Sequence, residues 1–191
     1  ARPFIARPTL SIQEFISDSR QFLMADGHLS AQTEQQLNPL LLELEQLCQQ
    51  QFRPTQLIRT HGDCHPGNLF FNQQPFFVDL DDCSQAPAMQ YLWMMLGGDV
   101  SEQRYKLELL LEEYQQFCDF DLSQLQLIES LRTMRMVHYM AWLARRWSDP
   151  AFPLHFPWFN TDAYWQQQLV VLQNQSLRMQ QPPLRLHPYD Y

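Results

Sequence analysis

A mainly α-helical fold carrying one small β-hairpin is predicted for this chain by three features of its sequence. Apolar residues recur at helical spacing in several segments, as in Leu40, Leu41, Leu44, Leu47 and Cys48. Two short aromatic and β-branched runs, Leu69-Phe70-Phe71 and Phe76-Phe77-Val78, flank Asn72-Gln73-Gln74-Pro75 and read as a hairpin with a four-residue loop. Beyond Asp82 the periodicity is helical almost to the end.

Taken in order, Pro3, Pro8 and Thr9 mark an opening extended segment, and Ser11 with Glu14 forms a capping box that starts a helix running to about Leu23. Asn38-Pro39 suits an N-cap followed by proline at the first helical position, so a second helix is expected from there through Cys48. Arg53 to Thr60 leads into the hairpin region. Pro87 to Leu96 reads as an apolar helix closed by Gly97-Gly98, and Ser101 to about Cys118 as an amphipathic one. Leu125 to Trp147 is long, with Leu127, Leu131, Met134, His138 and Trp142 along one stripe. A proline-rich loop, Asp149 to Asn160, precedes a last helix that begins near Thr161. No internal repeat or linker divides the chain, and residues 1–191 are expected to form a single lobe.

Composition narrows the classes of function. With 45% hydrophobic residues the chain can bury a sizeable core, and it carries neither an apolar run long enough for a membrane span nor a signal-peptide pattern. A cytoplasmic, monomeric protein is expected. Cys48, Cys64, Cys83 and Cys118 are widely spaced, which fits reduced thiols and not a disulfide framework. A net charge of −8 disfavours nucleic acid as a partner, since phosphate neutralisation needs a cationic face, and leaves protein or small molecule.

The chemistry is concentrated in His61-Gly62-Asp63-Cys64-His65-Pro66-Gly67-Asn68. If Phe71 pairs with Phe76, antiparallel register pairs Leu69 with Val78 and sets Asn68 opposite Asp79, their Cα atoms roughly 5 Å apart. An amide oxygen and a carboxylate side by side suit a hard divalent cation, and Mg²⁺ takes few protein ligands while keeping water and phosphate oxygens. Asp63, five residues before Asn68, can face such a site from the preceding loop, where a base accepting a hydroxyl proton would stand. Gly62 and Gly67 permit the tight backbone of that loop, and Asp81 and Asp82 follow Asp79 closely. This division of labour is the one phosphoryl transfer uses.

The spacing Asp63-x-x-x-x-Asn68, preceded by His61-Gly62 and followed by Val78-Asp79-Leu80-Asp81-Asp82, resembles the catalytic and metal-binding loops of the aminoglycoside and choline phosphotransferase family. The likeness extends over most of the chain, through Leu92-Trp93-Met94-Met95-Leu96 and Ala141-Trp142-Leu143-Ala144-Arg145-Arg146-Trp147, and is narrower for cytoplasmic bacterial serine/threonine kinases acting in stress responses. The resemblance implies the C-terminal lobe of the protein-kinase-like fold, with ATP and Mg²⁺ and protein hydroxyls as acceptors. It implies Asp63 as catalytic base, Asn68 and Asp79 as the magnesium ligands and thereby the cofactor-binding residues, and Asp81 as an auxiliary metal or water ligand.

Two departures accompany it. Tyr91 stands where the family commonly has an acidic residue that braces the catalytic loop. The glycine-rich clamp and strand lysine of the nucleotide-binding lobe have no counterpart, since no two of the five glycines make a G-x-G and the one lysine, Lys106, follows the catalytic loop. That lobe is therefore expected upstream, and these residues alone are expected to transfer phosphate poorly.

Other readings compete. His61 is read as structural, hydrogen-bonded to backbone, and His65 as completing the turn, while Cys64 and the His138, Met134, Met136 and Met140 group are assigned no chemistry. A zinc-dependent hydrolase could use His61, Asp63, His65 and Asp79, although His138, His155 and His187 are too isolated to supply a second cluster. An amino-alcohol or aminoglycoside kinase would use the same loops. A non-catalytic, pseudokinase-like module would present Phe152, Phe156, Trp158 and Phe159 to a partner.

Overall fold

The structure, a computed structural model, describes residues 6–186, so the expectations on Pro3 and His187 lie outside the described residues. The described residues belong to two compact units. Among the described residues one comprises 6–10, Phe52–Leu131 and 183–186, and the other Ser11–Gln51 and Arg132–Pro182. The fold is the predicted mainly helical one, with two small antiparallel sheets among the described residues in place of a lone hairpin.

The second unit is built on helices. Ser11 Oγ accepts the Glu14 N–H at 3.3 Å, the predicted cap, but the turn it starts, Gln13–Ser17, is a π-helix that passes into α1, Asp18–Ala25. α2 is Ala31–Gln51 and begins a full two turns before the expected start at Pro39. Ser30 is the reason: its Oγ accepts the Thr33 N–H at 3.1 Å and its carbonyl the Glu34 N–H at 2.9 Å. Asn38 does not cap, because its Oδ1 accepts from Arg20 Nη1 at 3.1 Å, and Pro39 is carried inside the helix. Leu37, Leu40, Leu41, Leu44 and Cys48 line the buried side of α2. α2 packs against α6, Asp162–Met179, where Gln51 Nε2 donates to the Met179 carbonyl at 2.8 Å and Ser176 Oγ donates to Glu43. Each large apolar side chain withdrawn from water here contributes about 1.5–3 kcal/mol before entropy is counted.

α4, Ile128–Arg146, supplies Met134, Val137, Met140, Ala141 and Leu143 to buried positions, and the short α5, Ala151–His155, follows it. His138 of α4 stacks on Phe15 with ring centroids 4.3 Å apart.

The first unit carries the strands and loops that position the site. β1, Ile58–Thr60, pairs antiparallel with β4, Ser84–Ala86, and Thr9 bridges to Gln85 on the other edge of β4. This small sheet draws the residue after Thr60 and the residue before Ser84 together. β2, Leu69–Asn72, and β3, Gln74–Phe77, form the hairpin. Its register is one residue off the expected one, pairing Leu69 with Phe77 and Phe70 with Phe76. Gln73 takes a left-handed conformation (φ 61°) and turns the chain by itself, which shortens the loop and places Pro75 opposite Phe71.

The expected Pro87–Leu96 helix is two 3₁₀ turns instead, Ala88–Tyr91 and Trp93–Met95. Its groups bond outward: the Met89 N–H donates to Gln124 Oε1 at 3.1 Å, and the Gln90 side chain reaches another loop. α3, Val100–Tyr114, starts at a capping box that the sequence reading did not identify, in which Asp99 Oδ1 accepts the Ser101 and Glu102 N–H groups and Glu102 Oε2 accepts the Asp99 N–H.

Burial and the nearby Arg145, Arg135 and Arg146 lower the His138 imidazole pKa from its ordinary 6.5 to about 4. Above pH 6.5 the ring is neutral in both folded and unfolded chains. As the pH falls from there towards 4, only the unfolded chain takes up the proton, so stability should drop by up to roughly 3 kcal/mol and then level off. Urea denaturation at several pH values should show this slope, and His138→Phe, which keeps the stack on Phe15, should flatten it.

Candidate active site

The site begins where β1 ends. His61 is buried, and its Nε2–H donates to the Val78 carbonyl at 2.8 Å, so the ring ties the loop after β1 to the residue that follows β3. Gly62 has φ +86°, and a Cβ built there would lie 1.8 Å from the Asp82 carbonyl oxygen. Only glycine allows that approach. Gln90, itself buried, donates its Nε2–H to the Gly62 carbonyl at 2.7 Å and accepts the Trp93 indole N–H at 2.9 Å. Tyr91 Oη–H donates to the Arg59 carbonyl at 3.0 Å, and burial raises its pKa, which keeps it a protonated donor.

The loop continues through Asp63 to a 3₁₀ turn, Pro66–Asn68. His65 Nδ1 accepts the Gly67 N–H at 2.9 Å, which puts the ring proton on Nε2, and that nitrogen lies 3.3 Å from Asp63 Oδ2. The neutral imidazole can thus donate to the carboxylate and fix its orientation. Asn68 is buried and its Nδ2–H donates to the Asp63 carbonyl at 3.1 Å. With the amide nitrogen so committed, Oδ1 is the atom left for a cation.

The one-residue change in register sets Asn68 against Val78 instead of Asp79, the Val78 N–H donating to the Asn68 carbonyl at 3.0 Å. Asp79 comes next, exposed and left-handed at φ 61°, so the chain turns sharply just where it passes Asn68. A non-glycine residue in that region carries strain that persists only when its surroundings impose it. Asp81 is exposed, and its carbonyl accepts from Arg7 Nη1 at 2.5 Å. An amide oxygen and one or two carboxylates on adjoining backbone are the hard donors that magnesium takes, with the remaining positions left to water and phosphate.

The histidine-based alternative is not assembled. Among the described residues no three His, Cys, Asp or Glu side chains are grouped to hold a metal, and both His61 Nε2 and His65 Nδ1 are engaged with backbone. Cys64 is buried, and burial followed by the Asp63 charge raises its thiol to about 11, which makes it inert as a nucleophile. Phe159 of the expected partner surface is buried against Trp147, Tyr164 and Trp165, whereas Trp158 is exposed.

Sequence reasoning missed Gln90 and Arg7. Gln90 braces the loop from the position beside the tyrosine that replaces the usual acid, and the indole at Trp93, three residues on, was the signal available for it. Behind the loops lies a cavity of about 730 Å³ lined by Ile58, Arg59, Phe77, Leu80, Tyr91 and Tyr114 among others. No helix among the described residues is long and apolar enough to cross a membrane.

The loop from His61 to Asn68 is thus bonded to the segment that follows β3, through the Val78 carbonyl and the Val78 N–H. Residues 12–128 match the phosphotransferase enzyme family, and the chain belongs to that family. The chain is 41% identical over 189 residues to stress response kinase A of Escherichia coli K12, covering 97% of this chain. It is 42% identical over 192 residues to stress response kinase A of Salmonella choleraesuis and, at the same identity and span, to the serine/threonine protein kinase RdoA of Salmonella typhimurium. The chain spans 57% of the length of each of these relatives. The fold is accordingly the C-terminal lobe of the kinase-like family.

Two outcomes follow from this geometry. Gly62→Ala should destabilise by well over the roughly 1 kcal/mol that a strained backbone alone costs, whereas Gly27→Ala, at φ +77° with open space around it, should cost only the strain; urea midpoints decide. Alkylation followed by mass spectrometry at pH 8 should label exposed Cys118 first and the buried Cys48 and Cys64 last.

Proposed function

We propose that this chain is the catalytic lobe of an ATP- and Mg²⁺-dependent kinase that phosphorylates serine or threonine hydroxyls of proteins in a bacterial stress response. The observation that carries the reading is the hydrogen-bonded continuity from Asp63 through Asn68 to Val78-Asp79. In it Asp63, oriented by His65, accepts the acceptor hydroxyl's proton as the oxygen attacks the terminal phosphorus. Asn68 Oδ1 and Asp79 would hold magnesium, with Asp81 contributing directly or through water. The metal, when bound, supplies neutralisation of charge on the transferring phosphate.

The protein acceptor rests on the relatives, one of which is named a serine/threonine protein kinase. The glycine-rich clamp and its lysine are absent from these residues, and we assign them to sequence outside this chain, as the greater length of the relatives allows. The enzyme is taken to be cytoplasmic and monomeric, and the 191 residues alone to transfer phosphate weakly or not at all.

The experiment is phosphate transfer from labelled ATP by the natural full-length protein, with a generic protein acceptor and a panel of amino alcohols. Label should enter protein, and Asp63→Asn should lower the rate by about 10²–10⁴-fold while leaving Mg²⁺-ATP binding intact. Undiminished transfer by the variant would remove Asp63 from its role. Label confined to the amino alcohols would replace the acceptor class.

A further inference from the structure

The chain is acidic overall at −8, yet the stretch from Arg132 to Asn160 contains Arg132, Arg135, Arg145 and Arg146 with Asp149 as its single carboxylate. That carboxylate is spent on α5, where its Oδ1 accepts the Ala151 N–H at 2.9 Å. The last two arginines are exposed and seated on aromatic rings. Arg146 Cζ lies 4.4 Å from the centroid of Trp142, and Arg145 Cζ lies 4.9 Å from that of Phe22. Trp142 is held in turn by Tyr139, stacked at 5.8 Å, and by Phe152 and Phe156 of the α5 segment at 5.2 and 6.1 Å.

A guanidinium stacked on a ring uses its face and keeps its N–H edge open, in the fork geometry that matches a carboxylate. Because the aromatic seat already restricts the side chain, less freedom is lost on binding. Helix-dipole compensation explains a basic residue in the last turn of α4, but not the rings beneath it. Arg145, Arg135 and Arg146 also lie close enough to His138 to oppose its protonation, so the positive field at this face is concentrated. Leu154 of α5 and Trp158, in ring contact with Phe156 at 5.8 Å, are exposed, apolar surface that a free phosphate would leave wet and a peptide side chain would cover.

We propose that the face of α4 bearing Arg145, Arg146 and Trp142, together with the α5 segment, docks an acidic, carboxylate-rich segment of the protein acceptor. The proposal rests on the reading of the acceptor as a protein. It assigns this surface to recognition and not to the transfer step.

The test is fluorescence anisotropy of the full-length protein, without ATP, titrated with a labelled peptide of glutamates surrounding one serine and one phenylalanine. A counterpart with lysines in place of the glutamates, inorganic phosphate and anionic lipid vesicles serve as competitors. The acidic peptide should bind, weaken with added salt, and lose at least about tenfold in affinity with Arg145→Glu/Arg146→Glu, while Arg146→Lys loses less. Mg²⁺-ATP binding should be unchanged in each variant. Should the double variant fail to fold, Arg146→Ala alone must still weaken the peptide. Equal affinity of parent and variants, equal binding of the lysine peptide, or displacement by phosphate or vesicles as effective as by peptide would each overturn the proposal. Because no phosphate is transferred, its failure would leave the assignment of Asp63 standing, and failure of transfer to protein would leave a measured docking affinity standing.

Discussion

The approach of the Gly62 backbone to the Asp82 carbonyl is the constraint on which the site depends. A Cβ at that position would sit 1.8 Å from the oxygen, well inside any contact distance, so the loop bearing Asp63 and the turn bearing Asp79 are packed as one body. Two further bonds cross the same seam, His61 to the Val78 carbonyl and the Val78 N–H to the Asn68 carbonyl, and Gln90 braces its Gly62 side from the following 3₁₀ turn. Phosphoryl transfer draws most of its acceleration from position and charge, and a firmly bonded junction of two loops suits that chemistry.

The replacement of the expected acid by Tyr91 changes which groups brace this junction. A carboxylate there would accept from loop N–H groups, whereas Tyr91 donates to the Arg59 carbonyl and Gln90 donates to the Gly62 carbonyl. Both braces are neutral, and Gln90 is buried with its carbonyl oxygen satisfied by Trp93. The loop is therefore held by donors to its carbonyls, and no buried charge is needed beside Asp63.

The helices and the hairpin were legible in the sequence because their apolar spacing is long and regular. What was not legible was decided by single polar side chains. Ser30 starts α2 before Pro39, which the helix tolerates. Gln73 in a left-handed conformation moves the hairpin register by one residue, a conformation that sequence preference would assign to glycine or asparagine. That slip sets Asn68 against Val78, and the chain turns at the next residue, Asp79. Gln103 and Gln124 are polar side chains that are nonetheless buried, a placement that only tertiary contact reveals. Gln90 was hidden for the same reason.

The most direct test of this account is hydrogen–deuterium exchange on the full-length protein and on Gln90→Ala. Coupled loops predict that loss of this one brace raises exchange at Asn68 and Val78 together, on both sides of the seam, with kcat falling in parallel and the α2–α6 helices unaffected. Faster exchange confined to the Gly62 side, with Val78 as protected as in the parent, would mean that the two loops are held separately and that the seam is not the organising constraint.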